Sequence, residues 1–248
     1  MSNEIAPREK EINAGLANQH KMIQSLFGDK EKAAKFTATA VKVANDYKLR
    51  ECHPNSILDA CINVAQLGLD LSPNMAHAYL VPFKAKKEAK VASVQLIVSA
   101  RGYTALLART GWSIKSFIVT DADEFDYRMD GFEDNITFVK DLDTPDSKFR
   151  YAVAMAKSPT GELFVEVMNK SQIEKHRLVS SNQDGEASGV WFDWYDPMSL
   201  KTVIKKLVKK LPIGEQIADV VAADDKAIEA EIVETVAVEK KQDMSDLK

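Results

Sequence analysis

Leu200, Val203, Ile204, Leu207, Val208 and Leu211 recur at helical spacing, an apolar stripe wide enough to require burial against a core. Lys201, Lys205, Lys206, Lys209 and Lys210 occupy the positions between them. Asp196-Pro197 supplies an N-cap and a first-turn proline, and Pro212 ends the run. A docked helix over 196–212 is predicted, with ammonium groups in a row and no acid among them. Solvated helix faces ordinarily mix signs, because like charges at i,i+4 repel. A single-sign row points to a polyanionic partner.

The rest of the chain divides by its periodicity. Residues 1–30 are polar and read as a flexible arm. Within it one amphipathic patch (Met22, Ile23, Leu26, Phe27) is a candidate contact with the body or with a neighbouring subunit. Helices are predicted over 30–47 and from His53-Pro54-Asn55-Ser56 to Gly68, with Ile57, Leu58, Cys61, Ile62 and Ala65 inward. The pattern then changes to period two. Strands at 77–83 and 91–98 form a hairpin whose tip carries Lys84, Lys86, Lys87 and Lys90, and Pro82 suits an edge strand. A helix from Ala100 to Thr110 follows, closed by Gly111. Strands are predicted at 112–120, 134–139, 149–157 and 162–168, a short helix near 171–179, and a loop over 180–189. Trp191, Phe192, Trp194 and Tyr195 stand directly ahead of the lysine helix. The expected class is α+β: N-terminal helices, an antiparallel sheet with a central hairpin-helix unit, and a closing basic helix.

The net charge of −4 conceals an asymmetry. From residue 211 onward ten acids face four lysines, a net −6, which leaves +2 for the remainder. Residues 31–212 are therefore read as the core and 213–248 as an acidic tail. Such a tail engages a partner, competes for the basic site, or only solubilises the chain. Cys52 and Cys61 give neither a disulfide framework nor zinc spacing and read as core thiols. With no apolar run of membrane-spanning length and no signal peptide, a cytoplasmic protein is expected.

Motifs for enzymatic chemistry are absent: no phosphate loop, no GxGxxG after a strand, no HExxH, no GxSxG. Asp121, Asp123 and Glu124 could bind magnesium in a nuclease, but acids are common where a strand turns. No cofactor and no catalytic residue are expected. Basic groups interleaved with aromatics are present instead, the combination that holds phosphates and stacks unpaired bases without reading sequence. The candidate DNA-binding residues are Lys84, Lys86, Lys87, Arg101, Arg109, Trp191, Trp194, Lys201, Lys205, Lys206, Lys209 and Lys210. Arg101 is the sharpest single residue, because it opens a helix whose N–H groups also favour an anion. For Trp191 and Trp194, burial and base stacking both stand open. The groove is expected between the hairpin-helix unit and the lysine helix. A passive single-strand binder would use the same groups.

Three blocks, LRECHPNSILDACINVAQLGL (49–69), VQLIVSARGYTALLARTG (94–111) and WFDWYDPMSLKTVIKKLVKKLP (191–212), resemble the signature segments of the RecT family of phage-type single-strand annealing proteins. The resemblance covers about residues 49–212. It implies ATP-independent pairing of complementary single strands by a ring- or filament-forming homo-oligomer. It also implies a partner exonuclease, and contact with the host single-strand-binding protein through the C-terminal region. Arg101-Gly102 and Lys201-Thr202 ahead of Lys205-Lys206 fit the family's basic motifs.

Overall fold

Helices α1 (Pro7–Asn18), α2 (His20–Phe27), α3 (Lys30–Ala44) and α4 (Pro54–Gln66) pack together through Ile12 and Leu16, Ile23, Phe36 and Ala40, and Ile57, Cys61 and Val64. These side chains are buried, and several neighbours are alanines, which lets the helix axes approach closely. The computed structural model describes residues 7–83, 91–131, 133–145, 147–179 and 190–213. The chain divides into two compact units, which among these residues are 7–102 and 103–213.

Residues 7–27 are not the loose arm that their polarity predicts. Ile12, Leu16 and Ile23 are completely buried, and Arg8 donates to the carbonyls of Leu49 and Cys52 at 2.6 and 3.3 Å. The signal was faint because only one or two apolar residues on each helix face inward and a break at Asn18-Gln19 divides the stripe. Gly28 closes α2 at φ 64°, and the Asp29 side chain accepts from the amides of Glu31 and Lys32 to start α3. That helix ends three residues before the predicted Tyr47. Asp46 caps a short 3₁₀ turn, Tyr47–Leu49, and leaves the Tyr47 ring exposed. His53 caps α4 with Pro54 in its first turn, and Gly68 follows at φ 59°, both as the sequence requires. Cys52 and Cys61 are buried thiols that form no disulfide, and burial pushes the Cys61 thiol up to about 12.

Strands β1 (Ala78–Phe83) and β2 (Ser93–Val98) form the expected antiparallel hairpin, here a separate two-stranded sheet packed on α4. Helix α5 (Ala100–Arg109) begins immediately after it. Ser99 fixes this start: its hydroxyl donates to the Ala76 carbonyl at 2.5 Å and accepts from the Gly102 amide at 3.0 Å. Gly102 lies against the chain leading into β1, and a Cβ there would stand 2.2 Å from the His77 carbonyl oxygen.

The second unit is built on a three-stranded antiparallel sheet in the order β3 (Ser113–Thr120), β6 (Phe149–Lys157), β7 (Leu163–Asn169). Between β3 and β6 a further antiparallel pair intervenes, β4 (Glu124–Asp130) and β5 (Glu133–Val139). Strand β4 was not expected, because its outward positions are Glu124, Asp126, Arg128 and Asp130, residues poor in strand propensity. Its inward Phe125 and Tyr127 join Ile136 and Phe138 over Val119, Val153 and Val165. The single predicted sheet is thus three small antiparallel sheets. The opposite face of β6 is a row of small residues, Ala152, Ala154 and Ala156, each exposed by no more than 1%. Helix α6 (Lys170–Val179), the short α7 (Val190–Asp193) and α8 (Tyr195–Val208) complete the unit, with α8 packed on β6, β7 and β3. Tyr195 begins α8, so Asp196-Pro197 lies inside its first turn rather than capping it. Among the described residues no helix is long and apolar enough to cross a membrane.

Asp123 ties this unit together. Its fully buried carboxylate accepts from the Thr120 amide (2.6 Å), the Thr120 hydroxyl (2.7 Å), the Asp141 amide (2.9 Å) and the Lys140 ammonium (3.0 Å). Burial alone would raise this carboxyl, but the four donors outweigh it and hold the group at about 2.

Two outcomes follow from these contacts. Alanine at 102 would gain up to about 1 kcal/mol of helix propensity, whereas overpacking against a fixed carbonyl costs about 3 kcal/mol. Gly102→Ala should therefore lower the denaturant midpoint, and an unchanged midpoint would contradict the close approach. For Asp123, stability is fully present above the ordinary 3.8 and is lost as pH falls from there through about 2. Asp123→Asn should cost about 2 kcal/mol at neutral pH and flatten the loss of thermal stability between pH 4 and 2.

Candidate nucleic-acid interface

The lysine helix has the predicted two-sided pattern, with Val203, Ile204, Leu207, Val208 and Leu211 buried. Its basic side is not uniform. Lys205, predicted on the solvated face, is buried at 7% exposure, because α8 packs on three strands and its covered arc is wider than the apolar stripe. The aliphatic stem of a lysine suits such a margin. Lys206 and Lys210, one turn apart, both reach the carboxylate of Glu166 on β7. Lys206 Nζ lies 2.7 Å from Oε1, and Lys210 Nζ pairs with Oε2. The Glu166 side chain is only 5% exposed, whereas Lys206 and Lys210 keep 40% and 58% of theirs in solvent. Lys201 is half-buried and Lys209 is exposed.

Glu166 is the acid that a reading of α8 alone could not find. In strand β7, Phe164, Glu166 and Met168 stand opposite Ala156, Ala154 and Ala152 of β6. A carboxylate flanked by Phe and Met at i±2 is a charge on an apolar strand face, and such a charge needs a partner from whatever covers that face. This was the available signal.

Ahead of α8 the aromatic run separates into two classes. Trp191 is buried at 5% exposure and meets Tyr195 edge-on with ring centroids 6.0 Å apart. Trp194 and Phe192 are exposed at 61% and 78%. Of the two readings open for the tryptophans, burial therefore describes Trp191 and exposure Trp194. Phe192, not among the sequence candidates, offers the larger exposed fraction. Tyr195 also meets Phe149 edge-on at 5.4 Å and donates its hydroxyl to Glu174 at 2.8 Å. Burial alone would raise the Glu174 carboxyl. The Arg177 guanidinium, whose Nε lies 2.6 Å away, and the Tyr195 hydroxyl hold it below its ordinary value.

The remaining candidates lie on α5 or outside the described residues. Arg101 is exposed in the first turn of α5 and Arg109 is exposed in its last. Arg109 complements the helix dipole there, but Arg101 opposes it, a placement that an anion bound at the helix start would offset. Arg101 belongs to the first unit, while Arg109 and the lysines of α8 belong to the second. Lys84, Lys86 and Lys87 lie outside the described residues, as do the 180–189 loop and the tail beyond 213.

Two of the three acids that a nuclease would need are engaged by the scaffold, whereas Glu124 is exposed on β4. Asp123 is saturated by its four donors, and Asp121 accepts the Lys148 amide at 2.7 Å. Among the described residues no group of three or more His, Cys, Asp or Glu side chains is placed to hold a metal ion.

Comparison with known proteins gives these features a lineage. The RecT family model matches residues 34–239. Protein RecT of Escherichia coli (strain K12) is 32% identical over 181 residues, which cover 72% of this chain and 65% of that protein. Uncharacterized protein YqaK of Bacillus subtilis (strain 168) is 27% identical over 183 residues, 73% of this chain and 60% of YqaK. The matched region thus spans less than two thirds of either relative. With the family pattern running through most of its length, this chain belongs to the RecT family.

Proposed function

We propose that the chain is an ATP-independent single-strand annealing protein that promotes homologous recombination. The observation that carries this reading is the segment 191–210, where exposed aromatic rings (Phe192, Trp194) precede a docked helix with ammonium groups at its surface. Phosphates are neutralised by Lys201, Lys209, Arg101 and Arg109, with the basic residues of the 84–90 tip as further contacts. Bases remain available to a second strand. Catalysis in this sense is the removal of repulsion between two polyanions, and no bond-making residue takes part.

Annealing requires many nucleotides in register, and one protomer offers a short surface. Side-by-side protomers therefore form the working unit, and Met22 and Leu26, exposed on α2 beside buried Ile23, are one contact for it. In the cell an exonuclease exposes the strand, and the acidic tail meets the host single-strand-binding protein. Opposite charges attract within a Debye length of about 8 Å at physiological salt, so the tail also competes with DNA for the basic surface.

The decisive measurement is the rate of pairing of complementary oligonucleotides in EDTA without nucleotide triphosphate. An annealing protein accelerates it, a passive binder slows it, and a nuclease needs the divalent ion to act at all. Truncation after Pro212 should leave this acceleration intact on naked DNA; its loss would place the tail within the folded core.

Salt dependence tests both the lysines of α8 and the acid that holds Lys206 and Lys210. Lys201→Ala and Lys209→Ala should each flatten log K against log salt on single strands by roughly 0.7. Glu166→Gln releases two ammonium groups and should steepen the slope by up to roughly 1.4. A slope indifferent to all three variants would show that α8 does not meet the phosphates.

A further inference from the structure

The second unit contains an open cavity of about 360 Å³ lined by Phe149, Lys170, Glu174, Arg177, Trp191, Phe192 and Tyr195. Four of these seven are aromatic, two are cations, and the single acid is already engaged by Arg177 and Tyr195. The buried indole N–H of Trp191 has no hydrogen-bond partner among the described residues. A buried donor left unsatisfied costs about 1–3 kcal/mol, but this one is closed off from the cavity, so the aromatic and cationic lining defines what the cavity can take.

We propose that this cavity takes one unpaired nucleotide of the bound strand, its base against the aromatic rings and its phosphate on Lys170 and Arg177. Each part of a nucleotide meets a group that suits it. The π-faces of Phe192 and Tyr195 accept any base without reading its identity. Arg177 gives its Nε edge to Glu174, and its terminal N–H groups are the ones a phosphate uses. The placement agrees as well: Tyr195 is the first residue of α8, and Lys201 follows about 9 Å further along the helix axis. A strand seated by one base would therefore continue toward the lysines of α8. The cavity acts as a register pin, fixing one base while neighbouring bases stay available for pairing.

This inference rests on single-strand binding, and the test separates the two. An oligo-dT is compared with an abasic oligomer of the same length and phosphate number, using the full chain. The full chain should prefer the oligo-dT by about tenfold, the scale of one stacked base. Phe192→Ala, at an exposed position, should bring that preference to within about twofold while leaving the salt slope in place. Lys170→Gln should flatten the slope by roughly 0.7 on both oligomers. If neither oligomer binds the full chain, the proposed function itself fails. If both bind but Phe192→Ala keeps the full preference, the cavity does not hold a base.

Discussion

One buried carboxylate organises the basic helix. Glu166 stands on an otherwise apolar strand face, and moving a charge of this kind out of water is costly unless it is paired. Lys206 and Lys210 provide the pairing, and in doing so fix the rotation of α8 about its own axis as well as its position along β7. Apolar contacts with the alanines of β6 tolerate small slides and rolls, because dispersion is non-directional; two ammonium groups on one carboxylate do not. The charge of α8 is thus divided between scaffold and surface.

The same economy appears elsewhere in the second unit. Asp123 joins the turn after β3 to the end of β5, and Asp134 receives the Tyr127 hydroxyl at 2.7 Å and the Val165 amide at 2.9 Å, linking β5 to β7. Three carboxylates, Asp123, Asp134 and Glu166, tie small sheets and a helix that have little apolar area of their own. These three acids serve as structural cement, each joining elements that are distant in sequence.

What could be read from the sequence follows from how local each determinant is. The caps and glycines of α4, the β1–β2 hairpin, strands β6 and β7, α5 and the stripe of α8 depend on neighbours within a turn or two, and they stand as expected. The class α+β followed from their order. Three features depend on distant partners and were hidden. The helices of residues 7–27 are held by isolated apolar residues and a long reach from Arg8. Strand β4 becomes a strand only because β5 and the sheet beneath it supply an apolar surface. The division of the lysines could not be seen from α8, since it is decided by a residue some forty positions earlier. Among the aromatics, spacing placed Trp191 and Trp194 together, while burial set them apart and brought Phe192 forward.

The distribution of two rare residue types has an experimental consequence. Both cysteines, Cys52 and Cys61, lie in the unit of residues 7–102, and all three tryptophans, Trp112, Trp191 and Trp194, lie in the unit of residues 103–213. Thiol reagents attack the thiolate, and both sulfurs are buried, with that of Cys61 held firmly in its protonated form. Capture of the thiols thus times the opening of the first unit, while indole emission reports the second. The wild-type chain carries its own pair of independent clocks, so whether its two halves open together or in turn can be followed without a single engineered label.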